Sequence, residues 1–83
     1  MEQEKLIQTI EEMVQAIYTP DQVDIDGKFV HFLEAIEVYA NTGVLGEKIP
    51  NINQILLEVQ SVYMIKDYVT LSDILLYEIK EKL

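Results

Sequence analysis

The chain has 83 residues, 49% of them hydrophobic, with 15 acidic against 6 basic side chains and a formal net charge of −9. That length fits a single domain, residues 1–83, and the apolar content is too high for a disordered acidic tail. Having no cysteine, the chain can form no disulfide framework, thiolate zinc site or thiol nucleophile, which suits a reducing cytoplasm, and its negative charge argues against a nucleic-acid partner.

The N-terminus carries Glu2 and Glu4 where a secretory signal would carry basic residues. The longest apolar runs, such as Val62–Ile65 and Ile74–Tyr77, are four residues, against the roughly 20 that a membrane span needs. A cytoplasmic protein with no membrane partner is expected. Pro20, Gly27, Gly43, Gly46 and Pro50 divide the chain at about residues 19–27 and 42–50.

A first helix is predicted over residues 3–18. Leu6, Ile10, Met13 and Ile17 recur at helical spacing, flanked by Ile7 and Val14, and Thr19-Pro20 ends the run. The stretch from Gln22 to Phe29 alternates around Asp26-Gly27, which is a hairpin signal. Phe29, Phe32, Leu33, Ile36, Tyr39 and Ala40 nevertheless make a longer helical stripe. They predict a second helix over about 27–41, capped by Asp26, stopped at Asn41-Thr42-Gly43 and preceded by an extended lead-in.

Val44, Leu45 and Ile49 fall in a loop whose apolar content predicts that it folds back onto the core. A third helix is predicted over about 50–65, with Ile52, Ile55, Leu56, Val59, Val62 and Tyr63 on one face. Carrying its phase past Lys66 puts Asp67 and Thr70 near that face, so a break is expected there, with either residue as the next N-cap. A fourth helix follows over about 69–82. Leu71, Leu75, Leu76, Ile79 and Leu83 form its buried face, Ile74 and Tyr77 lie beside or outside it, and Lys80 and Lys82 complement the dipole of the last turn. The fold class is all-α, an antiparallel bundle of about four short helices.

Asp24-x-Asp26-Gly27 has the look of an EF-hand loop centre. Setting Gly27 at loop position 6, however, puts Gln22 at position 1 and Leu33 at position 12, where the bidentate glutamate is required. Solvated acids ending in a helix cap are the better reading. A divalent-cation-binding or small catalytic module using Asp21, Asp24, Asp26 and Glu34 is the alternative. His31 is the single histidine; Glu34 lies one turn on, but no oriented nucleophile accompanies them. Gly43-x-x-Gly46 lacks the Lys-Ser or Lys-Thr of a phosphate loop. No cofactor, no metal site and no enzymatic activity are expected.

Charge and apolar content divide along the chain. Residues 1–41 hold nine acids and two lysines, −7, and residues 42–83 hold six acids and four lysines, −2. The acids read as solvated outer faces of the first two helices; an acidic decoy for a basic partner is the sharper reading. The last two helices are apolar around most of their circumference, and a chain this short has few elements with which to enclose them. Surplus apolar surface marks a partner site, either a homodimer contact or a groove for another protein's amphipathic helix. The residues expected to line it are Tyr68, Leu71, Ile74, Leu75 and Tyr77, of which Leu71 and Leu75 also fit the core.

The run from Lys66 to Ile79, Lys66-Asp67-Tyr68-Val69-Thr70-Leu71-Ser72-Asp73-Ile74-Leu75-Leu76-Tyr77-Glu78-Ile79, resembles a K-D-Y-V-x-L-A-D-x-L-x-Y-E-[LI] pattern. That pattern belongs to small uncharacterised helical proteins of Gram-positive bacteria, some of them in motility gene neighbourhoods. The resemblance covers 14 of 83 residues, with Ser72 where the pattern has alanine, and implies a shared helical hairpin. In composition alone the chain is similar to flagellar and type III export chaperones, which are small, acidic, helical and cytoplasmic. The apolar surplus and the lack of a catalytic motif, more than either likeness, lead to the expectation of a non-enzymatic adaptor or chaperone-like module that binds a protein of unknown identity or a second copy of itself.

Overall fold

A computed structural model of the chain describes residues 2–19 and 24–83. α1 is Glu2–Tyr18, α2 Ile25–Ala40, α3 Val44–Lys48, α4 Ile52–Met64 and α5 Tyr68–Asp73; α5 continues through a π-helical turn, Ile74–Ile79, and a 3-10 turn, Lys80–Lys82. The described residues contain no strand, and the all-α class follows.

The long helices alternate in direction. The Gln3 side-chain amide donates to the Leu83 carbonyl at 2.8 Å, and at the other end of α1 the Tyr18 hydroxyl lies 2.9 Å from Ser72 Oγ, so α1 and α5 are antiparallel. The Tyr39 hydroxyl, near the end of α2, donates to Gln3 Oε1 at 3.4 Å. Phe29, near the start of α2, stacks on Tyr63, near the end of α4, with ring centroids 3.8 Å apart. α1 thus packs between α2 and α5, and α4 completes the bundle against α5 and the start of α2.

Local chemistry sets each boundary. Asp24, not Asp26, caps α2: its Oδ1 accepts from the Gly27 amide at 2.9 Å, and a Cβ on residue 27 would overlap that carboxylate. Ile25 and Asp26 are already helical, which corrects the extended lead-in; an aspartate with glycine three residues on can cap as readily as it can turn a hairpin. α2 ends where Gly43 turns left-handed at φ +84°, a conformation open to glycine at little cost. α4 ends in a Schellman motif, with the Asp67 amide donating to the Val62 carbonyl at 2.9 Å and the Lys66 amide to Tyr63 at 3.0 Å. Lys66 holds the left-handed position at φ +60°, where glycine is usual. Asp67 then caps α5, accepting from the Thr70 amide at 3.3 Å and its hydroxyl at 2.7 Å.

The segment predicted as a loop over 42–50 holds a short helix, α3, and it does fold inward: Leu45 and Ile49 are fully buried. They join Leu6, Ile10 and Met13 of α1, Phe29, Phe32 and Ile36 of α2, Ile52, Ile55 and Val59 of α4, and Leu71, Ile74, Leu75 and Ile79 of the last helix in one continuous core.

The π turn resolves a conflict of phase. Leu71, Leu75, Ile79 and Leu83 recur every four residues, and on a helix of 3.6 residues per turn such a row drifts by about 40° per step. Continued as α-helix, the row would leave the buried face and Glu78 would rotate into it. In the π turn each residue advances through a smaller angle, and the Lys80 amide reaches the Leu75 carbonyl, five residues back, as well as Leu76. Ile79 thus stays fully buried; Ile74, expected beside or outside the face, also lies in the core, placed there by ordinary α-helical winding three residues after Leu71.

Candidate functional site

The surface expected from Tyr68, Leu71, Ile74, Leu75 and Tyr77 does not form as a unit. Leu71 and Leu75 are fully buried, and Ile74 nearly so, because they share the face of the last helix that packs against α1 and α4. Tyr68 is half-buried, tilted against Tyr63 with ring centroids 6.4 Å apart. Tyr77 alone of the five stands well out, at 62% exposure.

Large exposed apolar side chains instead occur singly at Tyr18, Val44 and Tyr77, as a pair of valines, Val30 and Val38, on α2, and as a group of four on α4 and its corner with α5. Ile52, Ile55 and Val59 commit one side of α4 to the core, which turns Leu57 to the opposite side. Leu57, Ser61 and Met64 follow at four- and three-residue steps along one outward stripe, with Ile65 beside it. Leu57, Met64 and Ile65 are 66, 80 and 73% exposed. Across the corner made by Lys66 and Asp67, Val69 is 61% exposed. Between Lys48 and Lys66 the sequence holds one charged residue, Glu58. The outward side of α4 is otherwise Asn53, Gln54, Gln60 and Ser61, so a chain of net charge −9 presents one nearly neutral helix face. The signal is present in the sequence. Opposing Leu57 and Met64 to Ile55 and Val59 on a helical wheel finds it, whereas a count of apolar residues on both C-terminal helices does not.

The acidic half lies elsewhere. An open groove of about 600 Å³ runs between α1 and α2, lined by Glu2, Glu4, Glu12, His31 and Glu34 among others. His31 is exposed there. Two acids of this half are paired: Lys80 Nζ lies 3.0 Å from Glu11 and Lys28 Nζ 3.8 Å from Glu12, partly exposed contacts worth about 0–1 kcal/mol each. The alternative acidic cluster is not brought together. The Asp24 carboxylate is used as a helix cap, Asp26 accepts the Tyr63 hydroxyl, and Glu34 lies over two turns further along α2. Asp21 lies outside the described residues. Among the described residues, no three of His, Cys, Asp or Glu sit together as metal ligands would, and no helix is long and apolar enough to cross a membrane.

Ser72, where the family-like run has alanine, is buried and meets the exposed Tyr18 hydroxyl, tying α1 to the start of α5. At the opposite end Lys48 Nζ donates to the Leu83 carbonyl at 2.9 Å, alongside Gln3. Both contacts fix helix ends.

The chain belongs to the DUF8042 family, a domain of unknown function, which it matches over residues 2–83. Neither a curated protein nor a solved structure matches it.

Proposed function

We propose that this protein is a non-enzymatic, cytoplasmic interaction module, adaptor-like or chaperone-like, that engages another polypeptide through the outer face of α4. The observation that carries this reading is the stripe of Leu57 and Met64, with Ile65 beside it, on a helix whose charged groups are nearly absent. Single exposed apolar residues are ordinary on a protein surface; three on one helix face, in a chain with 15 acids to distribute, are a concentration. Covering each of them recovers about 1–2 kcal/mol, given that full burial of such a side chain is worth about 1.5–3 kcal/mol and each is already partly shielded. The acids of α1 and α2 keep the molecule soluble and steer its encounters.

Binding is favoured over catalysis because the sequence holds no nucleophile motif and the buried Ser72 hydroxyl is engaged by Tyr18. The test is site-specific photo-cross-linking in the native cytoplasm. A cross-linker replacing Leu57 should capture a polypeptide, and one replacing Glu37, on the exposed side of α2, should not. Equal capture at both positions, or none at residue 57, contradicts the proposal.

A further inference from the structure

We infer that the occupant of the α4 face is a second copy of this chain, paired antiparallel across a two-fold axis at Ser61. This rests on the reading of that face as an interaction surface and names its partner. Three observations support it. First, two copies of charge −9 repel wherever their acids face each other, and the α4 stripe is a long surface on which they can meet with one acid apiece. Second, the stripe is self-complementary, as an isologous contact demands. Leu57 lies four residues before Ser61, and Met64 and Ile65 lie three and four after it, so reversing a second helix about Ser61 sets Leu57 of one protomer against Met64 and Ile65 of its partner. Third, the same operation carries Glu58, three residues before the axis, toward Lys66, five after it. Glu58 falls opposite Met64, two residues short of Lys66, so the one acid of the face lies near the base that ends it, twice.

Ser61 at the centre is exposed and small, so the helices can approach closely. Packed helices lie about 8–10 Å apart and each Cα stands about 2.3 Å from its axis, leaving about 3.4–5.4 Å between facing Cα atoms. That range overlaps the roughly 4.4–6.8 Å spanned by a disulfide. A standard interface covers about 800 Å² per partner, close to 15% of this protein's 5232 Å² surface, and one helix face with its α5 corner covers less. A weak, reversible dimer is the expected assembly.

Because the natural chain has no cysteine, one introduced thiol gives an unambiguous readout. Under mild oxidation the full chain carrying Ser61→Cys should form a covalent dimer in high yield, and Glu37→Cys should remain at least tenfold less cross-linked. Sedimentation equilibrium of the unmodified protein should show mass rising above 9.6 kDa with concentration up to about 200 µM. The association should tighten at least threefold between about 50 and 500 mM NaCl, because screening relieves the repulsion between like-charged copies. Leu57→Asp should abolish the rise in mass while leaving the far-ultraviolet helix signal unchanged.

A monomer mass at both salt concentrations overturns the second copy, as does equal disulfide yield at residues 61 and 37. If residue 57 still captures a different polypeptide in cells, the interaction reading survives with another partner. If it captures nothing, both readings fall.

Discussion

Truncating Leu75 to alanine tests whether the apolar surplus of the last helix is core or contact surface. Leu75 is fully buried among residues of the core, whereas Leu57, a leucine of the neighbouring helix, is 66% exposed. Losing the Leu75 side chain beyond Cβ forfeits its transfer free energy and leaves a cavity that the surrounding helices only partly close. Buried leucine truncations of this kind cost about 2.7–5 kcal/mol. At about 0.05–0.15 kcal/mol per residue, a domain of 83 residues has roughly 4–12 kcal/mol of total stability. Leu75→Ala should therefore remove about half of it and lower the melting temperature by about 11–40 °C, at about 4–8 °C per kcal/mol. Leu57→Ala should change stability by less than about 0.5 kcal/mol. Circular dichroism melts and urea titrations at low micromolar protein, where association contributes little, measure both. The urea midpoint of Leu75→Ala should fall at an unchanged slope. A loss under about 1 kcal/mol at Leu75, or equal losses at the two leucines, refutes the placement of the core.

Other positions give effects of either sign. Lys66→Gly should stabilise the protein by about 0.5–1 kcal/mol, since relief of the left-handed lysine exceeds the extra unfolded-state entropy of glycine; a urea midpoint that falls would contradict the Schellman assignment. Asp67→Ala, which strips α5 of its cap and leaves the Thr70 amide unpaired, should cost about 1 kcal/mol in the same assay, and Asp67→Asn should recover most of it. Gly43→Ala should cost about 1 kcal/mol from backbone strain alone, because a Cβ there meets open space; a neutral result would mean that the φ of +84° is not held in solution.

Helical periodicity located the four long elements to within two residues at their ends, because each carries an apolar stripe bounded by Pro, Gly or Asp. What periodicity missed shares a physical cause: it counts residues at a fixed angle, and this chain departs from that angle. Ile79 stays buried, eight residues after Leu71, because the backbone widens into a π turn, a change in winding that a helical wheel cannot contain; Ile74 shares the face of Leu71 and Leu75 in ordinary α-helical winding. Asp26 was the expected cap because it directly precedes the apolar stripe, but Asp24 lies three residues before Gly27 and accepts from its amide, so the helix starts earlier. α3 is too short to leave a periodic signature, yet Leu45 and Ile49 were readable as inward-facing from hydrophobicity alone. The interaction surface was legible as a surplus and illegible as an address: whether an apolar side chain on α4 or α5 is free depends on which neighbours cover it, and α1 covers Leu71 and Leu75 while leaving Leu57 and Met64 outside.

Those outward side chains of α4 can be tested in place by moving a photo-cross-linker through positions 53–65, one residue at a time, and then to positions 69 and 77, in cells expressing the full chain. Capture should peak at residues 57, 61 and 64 with helical period and vanish at the core positions 55 and 59. A flat profile along α4, with capture instead at Val69 and Tyr77 of the last helix, would contradict it.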